Sequence, residues 1–409
     1  MIPHPAPHLI LVGSGGAALR EYLLRDLADV ARITLLVMSP ATWQIPYVDR
    51  IIEIAPAGDL DFVVDALLAD APAGVVTWDE SMLELTGHLT ERLGLPGLTA
   101  ASARLCRDKA AQRDRFAAQC VPSPRHALVR TSAEALAVAT EIGFPVIVKP
   151  QALAGSIAVE RVETADRLSS ALEGALTASF PGFTAPGGAV IEELLVGTEL
   201  SVDAWVLDGN VEPFVIAKKT VSDPPFFEEV RHEVGDGVVD VPEDLLEVTR
   251  AAVLALGLDR VVVHVEVMVT ATGCKIVEVN GRLGGDLIPY LGSLVTGVRP
   301  GAVAGHVAMG VQPAAEPTHD PSARCAGIQF FYPERDLVFE DIEVDDALVD
   351  ASWCESVRIL GQLGMEARLP PRGFLARLAC AVVVADTPAM LTEHLNAAAR
   401  GVRPVGQWL

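Results

Sequence analysis

The sequence is poor in positive charge. It has 31 Lys and Arg residues against 54 Asp and Glu residues, which gives a formal net charge of −23. No segment gathers its Lys and Arg residues into a basic stripe. Because nucleic-acid backbones and anionic membrane surfaces repel such a chain, we expect neither nucleic acid nor a membrane as a partner.

Long apolar runs and paired cysteines are also missing. No run approaches the roughly 20 apolar residues that span a bilayer, and the short apolar run 9–12 is followed at once by glycines. Residues 1–8 contain no Lys or Arg, which argues against a secretory signal. The six cysteines lie far apart without a C-x-x-C pair, which argues against a disulfide framework or a zinc site. We therefore expect a cytoplasmic protein.

Apolar residues, by contrast, are plentiful. Half of the 409 residues are hydrophobic, and a chain of this length has room for roughly two to four structural units. The mean hydropathy of +0.36 is high for a soluble monomer. Since an apolar surface of that kind is usually covered, we expect a subunit interface, and a homodimer is the simplest arrangement that provides one.

The first unit, residues 1–104, alternates apolar strand runs with helical patterns. Strands are predicted at 9–12, 33–38, 51–54 and 74–77, and this alternation predicts a parallel, doubly wound sheet. The turn Gly13-Ser14-Gly15-Gly16 is compatible with dinucleotide binding and hence with an NAD-dependent oxidoreductase. That signal is weak, because the second strand ends in Met-Ser-Pro at 38–40 and lacks the expected ribose-binding acid.

The second unit, residues 105–196, begins with a predicted helix over 104–119 and continues as a small mixed unit. Lys149 ends an apolar strand, Pro150 stops further pairing, and a small-residue loop follows at 152–156. The backbone N–H groups of such a loop are suited to phosphate oxygens. Only five lysines occur in the chain, so a lysine at this strand end suggests a need for a compact positive charge.

The third unit, residues 197–312, has longer paired strands and the sharpest chemical signal. Glu266 lies in one strand and Glu278, Asn280 and Arg282 end the next, with a Thr-Gly turn between the strands. Pairing across that turn brings Glu266 opposite Glu278, with the Asn280 amide beside them. Crowded carboxylates need a cation, and hard oxygen ligands of this kind suit Mg²⁺. Either Glu alone fits an ordinary solvated strand face.

Together these strings resemble the ATP-grasp superfamily over about residues 105–300. The resemblance implies an α/β and α+β chain with a Rossmann-like N-terminal domain, a lid subdomain and an antiparallel catalytic sheet, completed by residues 313–409. It implies ATP with Mg²⁺ or Mn²⁺ as cofactors. It also implies an ATP-binding set, a metal-binding set and a catalytic arginine. The ATP-binding set is Lys109, Lys149, Gly155, Ser156, Glu192, Glu193, Leu195 and Glu199, the metal ligands are Glu266, Glu278 and Asn280, and the catalytic residue is Arg282.

The activity that the resemblance implies is ligation of a carboxylate to an amine through an acyl-phosphate. The segment 218–232 is similar to the substrate-covering loop of the L-amino-acid ligases, which form dipeptides, and the string after Arg282 is similar too. His232, Gly284 and Gly285 are thereby candidate substrate-binding residues. A purine-pathway ligase of the same superfamily is the nearer alternative. A non-catalytic nucleotide sensor is a further one, although a degenerate site would be expected to lack the metal ligands and Arg282 that this chain has.

Overall fold

The computed structural model describes residues 6–54, 60–180, 187–314 and 321–409. Its first unit is the predicted parallel sheet, with strand order β3-β2-β1-β4. Residues of β1 alternate between two cores, Leu9 and Leu11 facing α1 and Ile10 and Val12 facing α2 and α3. The elements are β1 His8–Val12, α1 Ala17–Ala28, β2 Arg32–Val37, β3 Arg50–Glu53, α2 Leu60–Leu68, β4 Gly74–Val76 and α3 Leu83–Arg92.

The predicted single helix over 104–119 is wrong: two helices meet there. The chain forms α4, Ala100–Arg107, and α5, Lys109–Ala118. Asp108 is extended (φ −105°, ψ 102°) and its side chain accepts hydrogen bonds from the N–H groups of Ala110 and Ala111. An aspartate at that position caps a new helix instead of continuing the old one. Lys109 therefore lies at the first position of α5, directly after the capping residue Asp108.

A four-stranded antiparallel sheet of order β5-β8-β6-β7 forms the second unit. Two helices cover one face, where Val146 and Val148 of β6 are buried. Alternation turns Ile147 and Lys149 to the opposite face, where both are also buried. The elements are β5 His126–Val129, α6 Ser132–Ile142, β6 Val146–Pro150, β7 Glu160–Val162, α7 Ala165–Thr177 and β8 Ala189–Glu193.

An eight-stranded antiparallel sheet, in the order β13-β12-β9-β10-β11-β14-β18-β16, dominates the rest of the chain. The segment 218–232 is mostly a hairpin and not a loop, since strands occupy both of its ends and only 222–228 lies between them. The first part of this region comprises β9 Gly197–Leu207, β10 Asn210–Val221, β11 Glu229–Gly235, α8 Leu245–Ala255, β12 Val261–Thr270, β13 Gly273–Asn280, α9 Ile288–Thr296 and α10 Pro300–Ala308.

The C-terminal segment completes this sheet. It supplies β14, β16 and β18, and it adds a three-stranded sheet of order β17-β15-β19. The elements are β14 Cys325–Phe331, β15 Leu337–Val344, α11 Asp346–Val349, β16 Cys354–Ile359, β17 Glu366–Ala367, β18 Ala379–Ala385, α12 Pro388–Gly401 and β19 Val402–Trp408. Because β14 pairs with β11 along five residues from Arg231 to Gly235, this segment is structurally continuous with the third unit.

The helices are short compared with membrane spans. Helix α12 has 14 residues and α7 has 13, whereas about 20 apolar residues are needed to cross a bilayer. Within residues 6–54, 60–180, 187–314 and 321–409, no helix has both the length and the apolar character that crossing requires.

Helix α12 offers a test of how the C-terminal segment is held. Leu395 is fully buried, and a Cβ on Gly327 of β14 would lie 3.0 Å from its Cδ1 atom. We expect Leu395→Ala to lower the free energy of unfolding by about 2–5 kcal/mol, because it leaves a cavity under the helix. Equilibrium urea denaturation measures the change. Met390→Ala in the same helix, whose side chain is 39% exposed, is the matched control and should cost about 0.5 kcal/mol or less. Equal losses in both variants would contradict this packing.

Candidate active site

A cleft of about 1010 Å³, partly open to solvent, lies between the four-stranded sheet and the eight-stranded sheet. All twelve residues predicted to bind ATP, to bind metal or to act in catalysis line this cleft. They are Lys109, Lys149, Gly155, Ser156, Glu192, Glu193, Leu195, Glu199, Glu266, Glu278, Asn280 and Arg282. They come from four separate stretches of the sequence, and the fold brings these stretches together around one cleft.

The predicted pairing of carboxylates occurs on strands β12 and β13. Glu266 is paired with Glu278 and His264 with Asn280. A register shift beside Glu266 keeps both carboxylates on the cleft face. The Asn280 side chain donates from Nδ2 to Glu278 Oε1 at 3.0 Å, while its buried Oδ1 has no hydrogen-bond donor among the described residues. A buried oxygen without a donor, beside two carboxylates, is the arrangement that a cation would complete.

Two lysines balance this negative charge. Lys109 Nζ lies 2.9 Å from Glu278 Oε2 and donates to the Leu153 carbonyl at 2.8 Å. Lys219 Nζ lies 2.8 Å from Glu199, 3.0 Å from Glu229 and 3.4 Å from Glu266. Burial lowers the pKa of Lys219, but these three carboxylates outweigh it and raise that pKa well above its ordinary value. Lys219 is therefore a positive charge held among carboxylates.

Lys219 is absent from the predicted site residues. Lys218 and Lys219 begin the segment 218–232, and the sequence alone does not show which of them enters the site. Alternation along β10 decides it: the Lys219 side chain is 6% exposed, whereas that of Lys218 is 41% exposed. In the structure, the predicted ATP ligand Glu199 is an ion-pair partner of Lys219. Burial raises the pKa of Glu199, which Lys219 offsets only in part.

Glu192 joins two cations at the other end of the cleft. Its carboxylate lies 2.7 Å from Lys149 Nζ and 3.0 Å from Arg113 Nε. Burial alone would raise the pKa of Glu192, yet Arg113 and Lys149 lower it below the ordinary value. Burial also lowers the pKa of Lys149, and Glu192 opposes that effect. With its side chain engaged in this way, Glu192 holds Lys149 in the cleft.

The small-residue loop 152–156 and the connector 194–196 complete the lining of the cleft. Gly155 and Ser156 both have left-handed backbone angles (φ +64° and +57°), which turn the small-residue loop back into the cleft. Residues 194–196 lie between strands β8 and β9, and Leu195 lines the cleft there. Glu193 is bound at the mouth by Lys275, at 2.9 Å, and by Arg125, at 3.0 Å.

Arg282 joins the site to the first unit. Its guanidinium is paired with Glu80, a buried residue that precedes α3 and that also binds Arg107. Burial lowers the pKa of Arg282, but Glu80 more than compensates and the pKa is raised. Arg282 also donates to the carbonyl of Leu283 at 2.7 Å. The guanidinium therefore has a fixed position where the cleft meets a second cavity.

That second cavity, the chamber, shares Lys219, Glu229, Glu266 and Arg282 with the cleft. The candidate substrate residues His232 and Gly285 line it, whereas Gly284 lies behind it, where a Cβ would meet His264 Nδ1 at 2.8 Å.

Several chamber residues were not predicted. Asp286 lies 3.3 Å from His232 Nε2, and Glu229 lies 3.2 Å from the same atom. Arg377, from the C-terminal segment, is paired with Asp286 at 2.5 Å and donates to Tyr332 at 2.8 Å. No sequence motif marked Arg377, because only the strand order places β18 beside this cavity.

His264 of β12 and Asp203 of β9 form a buried pair, with 2.6 Å between Nδ1 and Oδ1. Burial lowers the pKa of His264, but the opposite effect of Asp203 is larger, and the pKa is raised to about 9. The protonated imidazole lies 3.8 Å from Glu266. It is thus a third cation that stabilises the ionised form of that carboxylate.

Part of the chain is similar in sequence to known proteins. Residues 142–290 match the family model described as an ATP-grasp domain. The chain is 29% identical over 227 residues to the uncharacterized protein y4rH of Sinorhizobium fredii, covering 54% of this chain and 45% of that protein. It is 30% identical over 227 residues to the alanine–anticapsin ligase of Bacillus subtilis, covering 50% and 46%. The matched region thus spans less than half the length of these curated relatives.

The fold comparison covers the whole chain. The L-amino acid ligase from Bacillus licheniformis superposes with a TM-score of 0.82, covering 99% of this chain and 100% of that one, at 20% identity. At this level of identity the likeness concerns the fold. Together with the match of residues 142–290 to an ATP-grasp domain, it confirms the predicted ATP-grasp fold.

The two adjacent lysines of β10 give a test of the buried charge cluster. We expect Lys219→Met to lower the free energy of unfolding by about 3 kcal/mol, since it leaves three neighbouring carboxylates without their shared cation. Urea denaturation at neutral pH reports the loss. Lys218→Met, on the exposed side of the same strand, is the control and should change stability by less than about 0.5 kcal/mol. If both substitutions had the same small effect, Lys219 would not be the compensating charge.

Proposed function

We propose, on the premise that this chain carries an ATP-grasp domain and has the ATP-grasp fold, that it is an ATP- and Mg²⁺-dependent carboxylate–amine ligase. It joins two amino acids, or an amino acid and a related amine, through an acyl-phosphate. The observation that carries this proposal is the oxygen cluster of Glu266, Glu278 and Asn280 beside Lys109, Lys219 and Arg282. Such a cluster suits a metal-bound triphosphate and a carboxylate that reacts with it.

The residues present fit a magnesium ion. Glu266 and Glu278 face each other, and the buried Oδ1 of Asn280 accepts no hydrogen bond from the part of the chain that the structure describes. Burial raises the pKa of Glu266, but Lys219 and His264 more than offset this and keep the carboxylate ionised. Bound there with the nucleotide, Mg²⁺ would neutralise charge on the transferred phosphate. These three side chains are the ones that would hold it.

Lysines and the arginine position the phosphates in this proposal. Lys149 and Lys109 lie along the cleft, and Lys219 and Arg282 lie where it opens into the chamber. A substrate carboxylate oxygen attacks the γ-phosphorus, the bond to the β-phosphate oxygen breaks, and ADP leaves. Phosphoryl transfer requires in-line positioning and charge neutralisation more than covalent help from the protein. Four fixed cations along the cleft supply both.

The amide bond then forms at the junction of cleft and chamber. The amine nitrogen attacks the acyl carbon, a proton leaves the nitrogen, and inorganic phosphate departs. Arg282, held by Glu80, is placed to stabilise the negative charge that develops on oxygen during this attack. The junction is lined by Glu229, Lys219 and Arg282. The names of the relatives, an alanine–anticapsin ligase and an L-amino acid ligase, support amino acids as substrates.

A substitution in the metal cluster tests the catalytic assignment. Glu278→Gln keeps the size of the side chain but removes a negatively charged ligand, so we expect ATP turnover to fall by at least about 10²-fold. ADP formation in a coupled assay measures it. Glu212→Gln, an exposed carboxylate of β10, is the control and should retain full turnover. Substantial ADP formation by the Glu278 variant would argue against this metal site.

The substrate class is tested by direct assay. The purified chain is incubated with ATP, MgCl₂ and pairs drawn from the twenty L-amino acids, and phosphate release and dipeptide mass are both followed. We expect phosphate release that depends on the pair and is abolished by EDTA, with a product whose mass equals the two amino acids minus water. Release that never depends on an amino acid, across the full panel, would reject amino acid ligation.

A further inference from the structure

The glycine-rich turn of the first unit, which invited a dinucleotide-binding interpretation, has a different use in the structure. Gly13 and Gly15 have left-handed angles of φ +70° and +66°, which only glycine adopts readily. A Cβ on Gly15 would lie 2.9 Å from Cγ of Arg20. The glycine-rich turn therefore leaves room for the aliphatic part of Arg20, which is the fourth residue of α1.

Arg20 extends from α1 into the chamber. Its Nη1 donates to the carbonyl of Gly284 at 2.9 Å, which fixes the guanidinium beside the loop that follows Arg282. The guanidinium lines the chamber but not the cleft. Within residues 6–54, 60–180, 187–314 and 321–409, no carboxylate lies within ion-pair distance of it, and its other N–H groups make no hydrogen bond.

Among the described residues, this lack of a carboxylate partner distinguishes Arg20 from the other arginines of the chamber. Arg282 is paired with Glu80 and Arg377 with Asp286. Burial lowers the pKa of Arg20, and the nearby positive charge of Arg282 lowers it further, although Asp286 opposes the effect. A half-buried guanidinium with unused donors costs free energy unless an anion completes it. Its planar set of donors matches the two oxygens of a carboxylate.

We propose that Arg20 binds the carboxylate of the substrate that supplies the amine, so that this substrate is an amino acid and not a simple amine. This inference rests on the proposed ligase function. The carboxylate that is phosphorylated must lie at the γ-phosphate, among Lys109, Lys219 and the metal ligands of the cleft. Arg20 lies outside that group, on the chamber side of Arg282, and is therefore available to a second anionic group.

The experiment separates the two substrates. In the first stage, the protein is given ATP, MgCl₂, hydroxylamine and each L-amino acid singly, because hydroxylamine captures the acyl-phosphate without an amine donor. In the second stage, an amino acid that forms a hydroxamate is paired with every donor amino acid and with the carboxamide of each donor. Wild type, Arg20→Gln and Arg25→Gln are compared, the last being an exposed arginine of the same helix.

For Arg20→Gln we expect kcat/KM of the donor amino acid to fall about 10- to 100-fold, the loss expected for a charge-assisted pair. Hydroxamate formation, the KM of ATP and the rate with the carboxamide donor should stay within about twofold of wild type, since none of them uses the donor carboxylate. Arg25→Gln should match wild type throughout.

Other outcomes overturn the inference in distinguishable ways. An equal loss of hydroxamate formation in Arg20→Gln would assign Arg20 to the phosphorylated substrate. An equal loss with amino acid and carboxamide donors would mean a structural role only. Absence of hydroxamate with every amino acid in wild type would instead reject the ligase proposal itself.

Discussion

The cross-strand pairing of Glu266 with Glu278 is the constraint on which the rest of the site depends. Two carboxylates at directly opposed positions of an antiparallel sheet repel each other, and burial makes the repulsion stronger. The fold compensates with Lys109 on one carboxylate, with Lys219 and His264 near the other, and with Nδ2 of Asn280, which donates to Glu278. Positive charges therefore lie close to both carboxylates without any ligand. The described residues still provide no hydrogen-bond donor for Oδ1 of Asn280.

Compensating charges come from every unit of the chain, which ties the architecture to the chemistry. Glu80 of the first unit fixes Arg282, Glu192 of the small sheet fixes Lys149, and Arg377 of the C-terminal segment binds Asp286. Each pair is buried, so loss of one member leaves an uncompensated charge. A site of this kind exists only when the units are assembled, and it explains why motifs that are weak individually become specific together.

The predicted pairing of Glu266 with Glu278 is confirmed, whereas their role as metal ligands stays a prediction. Alternation along the strands and the Thr-Gly turn indicate a hairpin from the local sequence, but the register shift beside Glu266 is what brings Glu266 opposite Glu278. The break at Asp108 was missed because an apolar pattern continues across it, and only the capping geometry ends the first helix. Lys219, Arg20 and Arg377 were missed because long-range strand and helix placement, which local patterns do not encode, brings them to the site.

The most direct test of the account is whether a divalent ion and a nucleotide bind together at this cluster. Mn²⁺ binding is followed by electron paramagnetic resonance, with and without a non-hydrolysable ATP analogue, in wild type and in Asn280→Leu, which removes the unpartnered oxygen. The account predicts tight Mn²⁺ binding that requires the nucleotide in wild type and is lost in the variant. Nucleotide-dependent Mn²⁺ binding of equal strength in both proteins would contradict it.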